Sequence, residues 1–272
     1  MANETKDIIR ELSHLTASGV RTSDIFDDWL DMVHATLTIL PDHMKALRES
    51  GKLAQDNEET QKTFDRIRAR YRDNSNYLDR FAKAFAILMN STEEYQDTVG
   101  NVYMEFGSPS KGNGQFFTPF HVAKVMAEIN SDHLAGLVHE RIKAAIKGDP
   151  LAEAMLMVGM ALEGNDTEEW LITRIIPSVA SRIEPVKVCD PSCGSGVMFL
   201  ATASSIPTWM TQMGLVQFSG MDIDQTCVKM CQINVMLYGL NGFAVQCAAA
   251  MAGGSVQAVE VDVSSWKQES LL

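Results

Sequence analysis

From Glu184 onward the sequence alternates short apolar runs with helical stretches, and this alternation restricts the fold more than any other feature. "PVKVCD", "GLVQFSGMD", "FAVQCAA" and "SVQAVEVDV" read as strands of the buried type. Between them, "VMFLATA" starts a helix, and "DQTCVKMCQINVMLYGL" forms another, with Val228, Cys231, Ile233, Val235 and Met236 as its apolar positions. Strand–helix–strand order at this spacing predicts an α/β fold with a Rossmann-like parallel, doubly wound sheet. Its crossovers should be right-handed, and its ligands should sit at the carboxyl ends of the strands.

The preceding half carries almost no strand signal. In "SDIFDDWLDMVHATLTIL" Ile25, Trp29, Met32, Val33 and Leu37 share one helical face, and Pro41 is expected to close the pattern. Leu78, Phe81, Phe85 and Leu88 repeat the spacing, and Ser91 with Glu94 reads as a capping box opening the next helix. "GSPSKGNG", residues 107–114, is a loop, and it leads into "QFFTPFHVAKVMAEI". There Thr118 is expected to cap a helix with Pro119 at its first position, and Val122, Val125, Met126 and Ile129 to form the buried stripe. More helix follows to residue 184, with Asp166 and Glu169 as a further start signal. The expected organisation is a helical amino-terminal domain at 1–106 and an α/β domain at 107–272 with a helical insert at about 131–184.

The 272 residues are 46% apolar, enough for a full core. A net charge of −12 argues against gripping nucleic acid by the overall field, since phosphate binding draws on clustered Lys and Arg. The densest basic stretch, Lys62, Arg66, Arg68, Arg70 and Arg72 around Tyr71, reads as a solvated helix face. No apolar run reaches the length of a membrane span and the first residues lack a signal pattern, so a cytoplasmic protein with no membrane partner is expected. Five cysteines, an odd number, fit free thiols better than a disulfide framework.

Residues 188–196, "VCDPSCGSG", join the first strand to the next helix, and three ligands suit such a segment. Cys189 and Cys193, with Cys227 and Cys231, have a spacing that zinc permits, but the second pair falls on a helix and buried Cys usually packs as a small hydrophobe. A phosphate loop needs a Lys after its last Gly, and none occurs before Lys229. What remains is a strand ending in an acid, a Gly-Ser-Gly turn bare enough for close approach, and a helix start. That suits a nucleoside with an amino-acid tail. The next strand should then end in an acid able to accept ribose hydroxyls, and "SGMDID" supplies Asp222, with Asp224 two residues on.

These residues resemble the S-adenosylmethionine-dependent adenine-specific DNA methyltransferases, most closely the modification (methylase) subunits of type I restriction-modification systems. "GNGQFFTPFHVAKVM", "VCDPSCGSGVMFLATA" and "GMDIDQTCVKMCQINVMLYGLNG" are similar to three family motifs in the family's order, and the resemblance spans about residues 75–245 with a gap at 131–184. It implies a class I methyltransferase fold and S-adenosylmethionine as cofactor. Phe117, Thr118 and Pro119 would line its methionine and adenine end, and Asp190 and Gly194 would approach the amino-acid moiety. Gly196 would allow the turn, Asp222 would hold the ribose and Ile223 would flank the adenine.

The resemblance also implies methyl transfer to an adenine swung out of DNA, held by an Asn- or Asp-Pro-Pro-aromatic tetrapeptide after the fourth strand. The sequence contains neither Asn-Pro-Pro nor Asp-Pro-Pro; "VEVDV" is followed by "SSWKQESLL", where Trp266 offers only an aromatic, and Ala248 and Ala249 stand where a polar residue is usual. No catalytic residue is therefore assigned, and the sheet is expected to be truncated at about four strands. Two functions stay open. One is an adenine methyltransferase that acts on DNA, with a partner chain supplying catalytic or specificity elements. The other is a non-catalytic relative serving as an interaction or regulatory module, for example one that interferes with restriction-modification.

Overall fold

A computed structural model of the protein describes residues 3–72, 74, 76–107, 117–162 and 165–246. The amino-terminal part is built from α1 (Asn3–Ser13), α2 (Thr22–Ser50), α3 (Glu58–Arg70), α4 (Tyr77–Asn90) and the short α5 (Thr98–Val102), which runs into a π-helical turn at Tyr103–Gly107. Ile25, Trp29, Val33 and Leu37 of α2 and Phe81 and Leu88 of α4 are buried, as their period predicts. Leu78 is not, at 48% exposed; Tyr77 and Ala84 take the inward positions, and the Tyr77 ring stacks on Tyr71 at 5.1 Å.

Two expected boundaries are corrected. α2 continues past Pro41 to Ser50, because proline removes one N–H bond while its fixed φ stays helical. Ser91 and Glu94 do not form a capping box. Ser91 Oγ donates back to the Leu88 carbonyl at 2.7 Å, Glu94 is extended, and the cap of the next helix passes to Asp97. The basic stretch on α3 is only partly a solvated face. Arg66 reaches Asp28 at 2.9 Å and Asp31 at 2.6 Å, and Arg70 reaches Asp28 at 2.7 Å, which pairs the buried Asp28 carboxylate and fastens α3 to α2.

α6 (Phe120–Ile146) is one helix of 27 residues that runs straight through the start of the expected insert. Its buried face is not the one the sequence suggests. Val122, Val125, Met126 and Ile129 are 42–77% exposed, while Ala123 and Ala127 pack against Val197 and Ala201. Side chains this small let two helix backbones approach closely, and that contact outweighs the larger apolar stripe. Thr118 does not cap this helix: Pro119 holds the cap position, its carbonyl accepting the Val122 and Ala123 N–H groups at 2.9 and 3.1 Å. α7 (Pro150–Met160), α8 (Asn165–Trp170), a π-helical turn at Leu171–Ile175 and α9 (Ile176–Val179) complete the helical stretch before the sheet.

β1 (Val186–Asp190), β2 (Val216–Asp222) and β3 (Gly242–Gln246) form a parallel sheet in the order β1-β2-β3, with Asp190 beside Gly220 and Asp222 beside Gln246. α10 (Val197–Ser204) and α11 (Thr208–Gln212) cross from β1 to β2, and α12 (Gln225–Leu237) crosses from β2 to β3. α12 lies between the sheet and α2 and is buried along most of its length, including Cys227 and Val228 and the run Met230–Met236. One buried cluster extends from Ile8 to Ala244. Among the described residues β1 is an edge strand, and Cys189 on it is exposed rather than packed as expected. "SVQAVEVDV", most of "GSPSKGNG", Ala248, Ala249 and Trp266 lie outside the described residues. Among those described, no helix is long and apolar enough to cross a membrane.

Candidate functional site

Parallel strands present their carboxyl ends together, so Asp190 and Asp222, the last residues of β1 and β2, stand at the same end of the sheet. The Gly-Ser-Gly turn joins them. Gly194 N–H donates to Asp222 Oδ2 at 2.9 Å, and Cys193 N–H donates to the Met221 carbonyl at 2.9 Å, so the turn after β1 is tied directly to the end of β2. Asp222 Oδ1 accepts the Asp224 N–H at 3.0 Å. Each oxygen of this carboxylate thus takes one backbone donor and keeps capacity for another, the requirement for gripping a pair of vicinal hydroxyls. Asp190 Oδ1 accepts Ser192 N–H at 3.0 Å and closes the Asp-Pro-Ser corner. Asp224 caps α12, accepting Thr226 N–H at 2.8 Å.

Gly196 has φ +84 and sits at the cap of α10, where the chain must turn sharply into the helix. A Cβ there would meet Cys231 Sγ at 2.8 Å, so both the backbone conformation and the room select glycine. At Gly194, with φ +52, a Cβ would begin 3.3 Å from the Phe117 ring. Phe117 therefore lies over the turn, held from behind by Tyr103 with ring centroids 5.6 Å apart and planes 22° from parallel. Burial and the nearby Asp224 push the Tyr103 hydroxyl up to about 12, so this ring stays neutral.

The structure brings Phe117, Asp190, Gly194 and Asp222 together at the carboxyl end of the sheet, with Gly196 at the inner side of the same turn against Cys231. Ile223, next after β2, is 69% exposed, and its carbonyl accepts the Gln246 amide at 3.1 Å from the end of β3. Thr118 is half-buried and Pro119 exposed where the chain enters α6. Sequence reasoning missed Tyr103, Asp97 and Asn234, each of which supports the site from a distant segment. Among the described residues no group of three or more His, Cys, Asp or Glu is placed to hold a metal ion. Cys193, Cys227 and Cys231 are buried free thiols, and Cys231 packs against Gly196 of the turn. Burial and the Asp222 and Asp224 carboxylates raise Cys227 well above the usual thiol range.

Comparison with known proteins bears on this cleft. Residues 170–257 match the family described as N-6 DNA Methylase. No curated protein matches. Among solved structures the chain is similar to a type I restriction-modification system methyltransferase subunit from Streptococcus thermophilus, at 14% identity and a TM-score of 0.39, covering 88% of this chain. The chain spans 58% of the length of that subunit. The family match takes in the Gly-Ser-Gly turn, Asp190 and Asp222, and leaves Phe117–Pro119 outside it. Over residues 170–257, then, the chain is similar to the N-6 DNA methylases, in agreement with the motifs at 188–196 and 220–224.

Proposed function

We propose that the cleft at the carboxyl ends of β1 and β2 binds S-adenosylmethionine, and that the chain works as part of an adenine-specific DNA methyltransferase. The observation that carries this reading is the Asp222 carboxylate, closed onto Gly194 N–H and still able to accept two hydroxyls, in a segment that matches the N-6 DNA methylases. In this reading Asp222 holds the ribose and Ile223 flanks the adenine. Gly196 allows the turn that brings Gly194 and Asp190 to the amino-acid tail, while Phe117 with Thr118 and Pro119 closes the near wall. The cofactor would supply a methyl group on a sulfonium centre for transfer to an adenine nitrogen of DNA.

The same reading assigns DNA as substrate, a second protein chain as partner and a cytoplasmic setting. These 272 residues include no Asn- or Asp-Pro-Pro segment to hold a flipped adenine, and in this reading a partner or further sequence supplies it.

Calorimetry with S-adenosylmethionine tests the binding: saturable heat from the native chain, abolished by Asp222→Ala, is expected, and no binding at millimolar cofactor would refute it. Radiolabelled methyl entering adenine-containing DNA with this chain alone would refute the need for a partner.

A further inference from the structure

We propose that Asp97, far from the cleft in sequence and buried, is a positioning residue that sets the shape of the Gly-Ser-Gly turn from behind. Asp97 stands at the cap of α5, and its carboxylate gathers groups from three separate segments. Oδ1 accepts Gly100 N–H at 3.0 Å from its own helix and Asn234 Nδ2 at 3.0 Å from α12. Oδ2 bonds to Ser195 Oγ, the middle residue of the turn. The second proton of Asn234 Nδ2 goes to the Ser195 carbonyl at 2.8 Å, so Ser195 is held at both side chain and backbone.

The segment bearing Asp97 is itself fixed. One helical turn beyond Asn234, the Tyr238 hydroxyl accepts Gln96 N–H at 3.1 Å and lies 2.9 Å from the Gln96 carbonyl; its ring stacks on Tyr95 at 5.0 Å. α12 therefore grips residues 95–97 at two points a turn apart, and through them the turn at 194–196. A carboxylate suits this place because it accepts only: it offers oxygens to Gly100, Asn234 and Ser195 at once, which no neutral side chain of its size does. An isolated buried carboxylate is costly, and three donors around it are the arrangement that offsets the cost. Burial raises its proton affinity, and the three donors act in the opposite direction.

The proposal rests on the cleft being the cofactor site, but its geometric core is testable without a ligand. Hydrogen exchange of the amides at 192–196 is measured in the native chain, Asp97→Ala, Asp97→Asn, Ser195→Ala and Leu12→Ala. Leu12 is buried on α1, and its variant controls for general loss of stability. Removing the carboxylate should speed exchange of the turn by about tenfold and weaken S-adenosylmethionine binding by a similar factor, the size expected when charged hydrogen bonds are lost. The amide side chain introduced by Asp97→Asn keeps one accepting oxygen for Gly100 and Asn234 and offers Ser195 a donor, so this variant should restore both readouts to near native. If Asp97→Ala does not fold, Ser195→Ala still breaks the contact and should speed exchange in the turn alone. Unchanged exchange in Asp97→Ala and Ser195→Ala, or an equal change in Leu12→Ala, overturns the proposal. Failure of the native chain to bind cofactor refutes the function above and leaves the exchange result to decide this one.

Discussion

Replacing Gly196 by alanine tests whether the turn is set by backbone conformation, by the neighbouring thiol or by both. At φ +84 an alanine pays the left-handed penalty, about 1–2 kcal/mol. Its Cβ would also meet Cys231 Sγ at 2.8 Å, and forcing extra volume into a packed core costs about 1–3 kcal/mol more. The sum for Gly196→Ala is thus about 2–5 kcal/mol. The two parts separate in a double-mutant cycle. Cys231→Ala removes the sulfur, and the nearest remaining atoms, Cys231 Cα and Cβ at 3.4 and 3.5 Å, are at ordinary contact distance. In that background Gly196→Ala should keep only the conformational part, leaving a coupling of about 1–3 kcal/mol between the positions. Urea unfolding of the four proteins measures it. A coupling below about 0.5 kcal/mol, the usual scatter of additive sites, would refute the steric part of the reasoning.

Two further outcomes are expected from titratable groups. Burial raises the Asp97 carboxyl above its unfolded value of about 4, so the folded chain binds the extra proton and this residue costs stability as pH rises through that range. Asp97→Asn should therefore gain on the native chain as pH rises above about 4, and a stability difference independent of pH would contradict the assignment. Cys189 is exposed while Cys193, Cys227 and Cys231 are buried. Iodoacetamide followed by peptide mapping should find Cys189 modified in the folded chain and the other three only after denaturation; early modification of Cys231 would show that the turn opens readily.

The sheet and the positions of Asp190 and Asp222 at its strand ends were legible because the governing interactions are local or periodic. β1, β2, β3, α10 and α12 all fall where apolar runs and helical spacing put them, and Asp190 and Asp222 follow from standing at strand ends. The face of α6 was not legible, since its large apolar stripe competes with an Ala123–Ala127 seam whose advantage exists only once α10 lies against it. Cys189 misled for a related reason: an apolar strand sequence does not say which strand will lie at an edge. The Asp97–Ser195 contact was beyond reach, because 98 residues separate the partners and an Asp before Thr98 signals only a helix cap.

α6 carries a consequence for how the chain tolerates change. At about 1.5 Å per residue its 27 residues form a rod of roughly 40 Å, so the segment that reads as an insert from 131 is in part the far end of the helix that begins beside Phe117. Near that far end Leu137 and Arg141 line a hollow with Pro185, Val186 and Lys187 at the start of β1. Residues added or removed within 131–146 would turn this rod about its axis by about 100° apiece, shifting Ala123 and Ala127 against α10 or the hollow against β1. At Lys147–Asp149, where Gly148 has φ +83 and Asp149 caps α7 afresh, added residues would leave the phase of α6 unchanged.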